Sequence, residues 1–550
     1  MKVSPSPNRA ALNAGPSGRS PEGTAMLAAS SRKHIAMGAG LGAARRSARN
    51  SPAPWLVAAA LLLWLGATAG LRLLALPDEG RYVGVAWEML RSGDWLTPTL
   101  DGMPFFHKPP LFYWITAGAM ELLGLHAFAG RVASLLGATL GGFALYVFVR
   151  RWCDERLARR AALLLAVQPL FYIGAQFANL DMLVAGCITA TTLLLADAAL
   201  RIERALPARR SLLAAYAVAA LGVLAKGLIG FVLPGAVVVL WLLIGGRWRT
   251  MLRLLSPLGL LLFLAIAAPW FVAMQHRFPD FLHYFFVVQH FQRFAAGGFN
   301  NVQPVWFYPA VLALASLPAL PGFIALLRRP DVLRDDLRKL MFVWFGVIVV
   351  FFSLPQSKLV GYVLPAVAPL ALLMAEGFDA LSQRWWRAGV GLSALVSVGL
   401  VVGLAAHPLK NSRDLAAVLS AHARDGEPLI MLKQYAYDLP FYARLRRPVA
   451  VVDDWSSPEV QASDNWRKEL ADAGRFEPAA SARLLEAADL GSALCSAPVS
   501  FVLGEAAQRE RWAQLAAAEP LATVRGTTLW RLESKALDCA GTPSAGSASR

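Results

Sequence analysis

Charge is what this 550-residue chain has least of: only 16% of its residues are Asp, Glu, Lys or Arg, where a soluble globular protein carries roughly 25%. With 56% of residues apolar, that shortage excludes an ordinary soluble domain. Acids are scarcer than bases, 36 against 53, leaving a net charge of +17. Such an excess would suit nucleic acid, but the arginines sit in short clusters between apolar runs, as the positive-inside rule requires of a membrane protein. The distribution therefore argues against a nucleic-acid partner. Cysteine is rare as well: the four present have no CxxC or zinc-finger spacing. Cys153 and Cys187 lie in or beside apolar runs, while Cys495 and Cys539 share the C-terminal region, where an oxidising compartment would allow them to pair. A secretory signal pattern is also missing ahead of Trp55, so the apolar run that starts there is expected to be an uncleaved first membrane helix.

What is present is a series of apolar runs near or above the ~18 residues that mark a spanning helix. Residues 1–50, rich in Ser, Ala, Gly, Pro and Arg, are expected to be a disordered basic segment. Residues 51–406 form the expected membrane domain and residues 407–550 a small α/β domain. Arg45, Arg46 and Arg49 place the N-terminal end of the first span, Trp55 to Leu76, in the cytoplasm. Alternation from there gives about eleven crossings, within a polytopic α-helical class of about 11–13. An odd count leaves the C-terminal domain on the outer face. Between about residues 78 and 125 the pattern is juxtamembrane instead. Val83, Trp87 and Leu90 at helical spacing, with Arg81, Glu88 and Arg91 between them, suit an amphipathic helix on the membrane surface. Pro109 and Pro110 break any helix, and Leu111 to Leu125 is short for a span and contains Glu121. In the C-terminal region Pro428 to Leu432, Pro448 to Val452 and Val499 to Leu503 read as strands. The Ala-rich stretches Ser481 to Ala488 and Arg509 to Glu519 read as helices.

The unusual residues begin at Leu76-Pro77-Asp78-Glu79-Gly80-Arg81-Tyr82, where a membrane helix should emerge into water. A solvated loop would carry Asp and Glu there too, but charge near bilayer depth is costly and is usually kept for a substrate or a partner charge. Alternating sides from the arginine clusters puts Asp78, Glu79, Lys108, Asp181, Lys226, His290, Arg293 and Lys358 on one outer face. Each alone has a plain explanation: a lysine snorkels to headgroups, and an aspartate caps a helix. Their convergence implies an outward-facing cavity with two carboxylate centres and several fixed cations. Such a cavity fits an anionic, lipid-linked substrate, because Lys and Arg bind phosphate through charge-assisted hydrogen bonds.

Three segments in order, Asp78-Glu79-Gly80-Arg81-Tyr82, Glu88-Met89-Leu90-Arg91-Ser92-Gly93-Asp94-Trp95 and Lys108-Pro109-Pro110-Leu111, resemble the ArnT group of bacterial glycosyltransferases. That group lies within the protein O-mannosyltransferase-like class with the GT-C fold. Asn179-Leu180-Asp181, Ala225-Lys226-Gly227, the run from Gln289 to Phe294 and Ser357-Lys358 add to the likeness, which covers residues 55 to 405 and extends more weakly beyond. The resemblance implies transfer of 4-amino-4-deoxy-L-arabinose, or a hexosamine, from undecaprenyl phosphate to lipid A phosphate. It implies a multi-pass protein of the bacterial inner membrane, with the site and the C-terminal domain periplasmic. By matching position Asp78 and Asp181 are the catalytic carboxylates, with Lys108 beside them. Arg81, Lys226 and Arg293 would hold phosphates, and Glu79, Tyr82, His290 and Lys358 would line the site. Where the group commonly has Glu before Lys-Pro-Pro this chain has His107, and the metal associated with that acid would fall to His107 and His407. Two histidines are too few for a zinc site, so no cofactor is expected to be required.

Two other functions fit the same sequence. One is a transferase of the same superfamily acting on a protein or glycan hydroxyl. The other is a transporter of polyprenyl lipids, which would be expected to show internal repeats and ionisable residues near the bilayer midplane. No repeat is evident, and the ionisable residues gather at one face.

Overall fold

The computed structural model describes residues 53–292, 301–462, 465–537 and 539, with the side chains of 290–292 and 461 excepted. The chain divides into two units, Met1–Ala53 and Pro54–Arg550. Every helix and strand among the described residues belongs to the second unit.

Helix α1, Pro54–Gly66, is apolar and largely exposed. It stops well short of the expected Leu76, and the chain continues in turns to Pro77. Arg72 explains the break. A helix running on would hold its guanidinium in the apolar layer; instead the arginine is buried against Glu79 and donates to the Gln176 carbonyl at 2.9 Å. Helix α2, Asp78–Ser92, follows, with both acids in its first turn, where the helix dipole favours them, and Gly93 in the left-handed conformation ending it. A two-stranded hairpin, β1 (Thr99–Leu100) and β2 (Met103–Pro104), turns through Asp101 and Gly102, both at positive φ. After Pro109-Pro110 come α3 (Leu111–Leu123) and α4 (Ala127–Trp152). Next are a helix pair bent by 67° at Gln168 (Glu155–Val167 and Pro169–Ala175), α5 (Leu180–Glu203) and α6 (Arg209–Lys226). Helix α5 is almost wholly buried, whereas Gln383–Ala406 is largely exposed. The site residues it carries are thus held in a fixed frame.

Five helices are each long and apolar enough to cross a bilayer, and two bent pairs bring the number to seven among the described residues. Expectation stood at about eleven. The difference lies in helices that are shorter than a bilayer, such as α1, α3 and Ile229–Ile244, or that carry charges at their ends, such as α6 and Asp336–Ser353. The protein is a polytopic α-helical membrane protein.

The C-terminal region builds a six-stranded sheet in the order β5-β4-β3-β6-β8-β7. Its strands are β3 (Leu429–Leu432), β4 (Ala450–Val452), β5 (Leu484–Leu485), β6 (Val499–Glu505), β7 (Glu519–Val524) and β8 (Thr527–Glu533). The first four pair in parallel and the last two add an antiparallel hairpin. The three expected strands are present. The expected helix over Ser481 to Ala488 is displaced by β5, whose leucines pair with Val451 and Val452. That over Arg509 to Glu519 shrinks to Gln508–Arg511 and one further turn, since Glu519 already belongs to a strand. Sheet pairing has overridden alanine's helix propensity in both. Cys495 and Cys539 form a disulfide.

The hairpin is tied to this region by buried acids. Glu88 accepts the Asp101 and Gly102 amides at 2.7 and 2.8 Å, while Asp101 accepts the Val449 amide at 2.8 Å. Burial, reinforced by the neighbouring Glu88 charge, pushes the Asp101 carboxyl up to about 7 from an ordinary 3.8. The folded state therefore holds the Asp101 proton more tightly than the unfolded chain. Its stabilising contribution is complete below pH 3.8 and fades as pH rises toward 7. Asp101→Asn keeps an acceptor and tolerates the positive φ. It should flatten the stability profile between pH 5 and 8 and gain about 1 kcal/mol or more over the wild type at pH 8. Thermal unfolding of the detergent-solubilised protein across that range checks this; parallel pH profiles would count against it.

Candidate active site

Adjacent on α2, Asp78 and Glu79 point to different surroundings, about 100° apart around the helix axis. Glu79 faces inward and is fully buried. Its Oε1 accepts from Arg72 Nη2 (3.0 Å), Arg131 Nε (2.9 Å) and the Ala178 amide (2.8 Å). Its Oε2 accepts from Arg72 Nη1, Arg131 Nη2 (3.2 Å) and the Ala75 amide (2.9 Å). Burial opposes the charge on this carboxylate, but the Arg131 and Arg72 guanidiniums outweigh it and hold its pKa below the usual range. Arg131 also donates to the carbonyls of Ala69, Arg72 and Leu73 at 2.6, 2.8 and 3.0 Å, which gives the unwound segment after α1 its hydrogen bonds. Glu79 has no lone pair left for a substrate, so the expectation that it lines the site is corrected: it fixes the frame behind it.

Asp78 faces the other way and pairs with Arg81 one turn on. Arg81 is shared with Glu469 from the C-terminal region and lies against the rings of Tyr82 and Tyr437, 5.2 and 5.5 Å away. Its Nε is buried without an acceptor among the described residues. The second carboxylate, Asp181, opens α5. Asn179 caps that helix by accepting the Asp181 amide at 2.8 Å, which frees the aspartate side chain for Lys226 at the end of α6. Lys226 also sits 4.3 Å over the Tyr362 ring. Glycine at 361 permits this arrangement, because a Cβ there would stand 2.2 Å from Asp181 Oδ2. Val184, Ile188, Ile229, Phe352 and Pro365 wall a narrow apolar cleft beside the pair.

The two halves lie within electrostatic reach of one another. Lys226 feels the charges of both Asp181 and Asp78, and Tyr82 those of both carboxylates as well. Asp78 is the most open, with 29% of its side chain accessible against 16% for Arg81, 12% for Lys226 and 7% for Asp181; a ligand would reach it first.

The remaining candidates are placed differently. Lys108 is half-buried in the turn before α3. Lys358 is buried, and its ammonium donates to the carbonyls of Gln303 (2.8 Å), Pro355 (2.5 Å) and Gln356 (3.4 Å). It thus braces a loop and does not present an open anion contact. The His290 side chain and Arg293 lie outside the described residues. His107 is buried with its ring stacked 4.6 Å from that of Phe105, whereas His407 is exposed at the end of Gln383–Ala406. No group of three or more metal-ligating side chains exists among the described residues. Sequence reasoning missed Arg72, Arg131, Tyr437 and Glu469. The interrupting Arg72 in the first apolar run and the lone Arg131 in the second were visible signals; nothing local marks Tyr437 or Glu469.

Residues 107–272 match the family model described as dolichyl-phosphate-mannose-protein mannosyltransferase. The chain is 36% identical over 344 residues to an undecaprenyl phosphate-alpha-4-amino-4-deoxy-L-arabinose arabinosyl transferase of Sodalis glossinidius, covering 60% of this chain and 61% of that one. A like-named protein of Pseudomonas savastanoi is 32% identical over 363 residues, covering 63% and 66%. The match thus spans less than two thirds of these relatives' own lengths. The crystal structure of ArnT from Cupriavidus metallidurans bound to undecaprenyl phosphate superposes with a TM-score of 0.73 at 24% identity, over 86% of this chain and 97% of that one.

By fold the protein is a membrane protein of the GT-C type. Its sequence is similar to the arabinosyl transferases named above, in line with the resemblance carried by the motif order around Asp78 and Lys108.

Replacing Glu79 by Gln would leave two buried guanidiniums facing one neutral group. The loss should be roughly 3–5 kcal/mol of stability, read as a lowered thermal midpoint in detergent; an unchanged midpoint would deny Glu79 its bracing role.

Proposed function

We propose that the protein is a membrane glycosyltransferase that moves an aminosugar, 4-amino-4-deoxy-L-arabinose or a hexosamine, from undecaprenyl phosphate to a lipid A phosphate. The site would open on the periplasmic side of the bacterial inner membrane. One observation carries this proposal: two carboxylate–cation pairs, Asp78 with Arg81 and Asp181 with Lys226, come from three separate segments, and Asp78 lies within electrostatic reach of Lys226. Support comes from the names of the relatives and from the ligand in the similar crystal structure.

The chemistry follows from the charges. A lipid A phosphate oxygen attacks the anomeric carbon, the bond from that carbon to the donor phosphate breaks, and the electron pair leaves on undecaprenyl phosphate. The attacking phosphate is already ionised near neutral pH, so no strong base is required. Holding two anions together and stabilising the leaving phosphate is the larger task. Arg81, with its unmet Nε, and Lys226, with two protons beyond the one on Asp181, are the donors placed for it, and Lys108 and Arg293 would add to them. Asp78 would then position the sugar. The transfer as proposed needs no cofactor. The mannosyltransferase family match favours a second reading, in which the acceptor is a protein or glycan hydroxyl and Asp78 must take its proton.

Lipid A mass spectrometry of cells with and without the gene separates the two: an added aminosugar mass supports lipid A as acceptor, and an unchanged lipid A points to the hydroxyl. With purified protein and defined undecaprenyl-phosphate sugars, Asp78→Asn should lower kcat about 100-fold or more while the protein inserts and folds normally. Full activity in that variant would remove Asp78 from the mechanism.

A further inference from the structure

Arg81 is held from two directions. Nη2 meets Asp78, three residues back on α2, and Nη1 meets Oε1 of Glu469, 388 residues later. Glu469 lies on helix α7, Trp466–Gly474, and is buried. Its second oxygen accepts the Tyr437 hydroxyl at 2.5 Å. The ring of Tyr437 covers one side of the same guanidinium, so residue 437 fixes both members of the Arg81–Glu469 pair.

The sequence of α2 admits this contact. Gly80 and Gly84, four apart, share one helix face. A Cβ at Gly84 would lie 3.1 Å from the Tyr437 carbonyl oxygen, and one at Gly80 would lie 3.0 Å from the Asp438 amide nitrogen. The backbone at 437 and 438 therefore lies directly on the helix that carries Asp78 and Arg81.

An arginine beside a single carboxylate tends to close on it as a two-point fork, taking both oxygens. Here the guanidinium is divided between two acids. Building on the glycosyl-transfer reading above, we propose that Glu469 is a positioning residue: by sharing Arg81 it keeps the guanidinium from closing on Asp78, and so leaves that carboxylate an oxygen to turn toward the donor sugar. The C-terminal region thereby completes the site. Without the Glu469 charge, Arg81 remains a cation for the donor phosphate, less neutralised than before, while Asp78 is drawn fully onto it. Donor binding persists and the chemical step slows.

That split is what the experiment reads. Glu469→Gln preserves shape and removes the charge. In the purified transfer assay it should lower kcat about 10-fold or more with the KM for the undecaprenyl-phosphate donor unchanged or lower. A packing defect would move the other way, raising donor KM and lowering the thermal midpoint together with kcat. Tyr437→Phe keeps the charge and the ring but removes one hydrogen bond to Glu469. It should shift kcat in the same sense by a smaller factor, and it carries the test if Glu469→Gln does not fold. Unchanged kcat in the variant that folds, or a donor KM that rises in step with the loss of kcat, overturns the proposal. If the wild type transfers nothing from defined donors, the function reading falls and this proposal with it. Wild-type transfer with a fully active Glu469→Gln overturns this proposal alone.

Discussion

The arrangement of Asp78 and Asp181 depends on one buried carboxylate whose oxygens are fully taken up by neighbouring donors. Glu79 gathers two guanidiniums and two backbone amides around itself, drawing together the unwound chain after α1, the first turn of α2, the start of α4 and the segment before α5. A charge in this position is expensive to desolvate and is tolerated only when its partners are fully arranged. That stringency is also its use: few backbone paths bring Arg72, Arg131, Ala75 and Ala178 to the same two oxygens, so the path is fixed. Once it is fixed, Asp78 and Asp181 have determined positions, one residue from Glu79 and three from Ala178.

Two neighbouring acids thus perform opposite tasks. Glu79 is saturated and immobile; Asp78 is partly open and shares a single arginine. Lys226 and Asp181 repeat the pattern at lower exposure, with Gly361 keeping the space beside them clear. The cations that would hold phosphate are already paired with carboxylates, which holds them in place without substrate and leaves specific donors unmet. A preorganised arrangement of this kind is where electrostatic stabilisation of a leaving phosphate gains most, because little reorganisation accompanies the reaction.

Much of this was legible in the amino-acid order, for identifiable reasons. Apolar run length and arginine clusters report the membrane directly, and charges out of keeping with their surroundings, such as Asp181 and Lys226, single themselves out because burial makes them costly, and the structure pairs them. The amphipathic spacing in α2 is a local signal too. Run length overstated α1, since hydropathy counts Arg72 as one interruption and does not see Glu79 turning the chain around it. Lys358 looked like an anion contact, yet three carbonyls of its own loop and of residue 303 take its protons. Glu469 and Tyr437 could not have been found, because their importance lies in meeting Arg81 across 388 and 356 residues of chain, a distance over which no periodicity speaks. Alanine-rich segments misled for the same reason: β5 is a strand because β4 lies beside it.

In the proposed reaction Asp78, Arg81, Asp181 and Lys226 act as one anion-binding centre. An experimental map of the protein with undecaprenyl phosphate bound tests that most directly. It should show phosphate oxygens within about 3.2 Å of both Arg81 and Lys226. A phosphate held elsewhere, with the Lys226–Asp181 pair closed and Arg81 untouched, would contradict it.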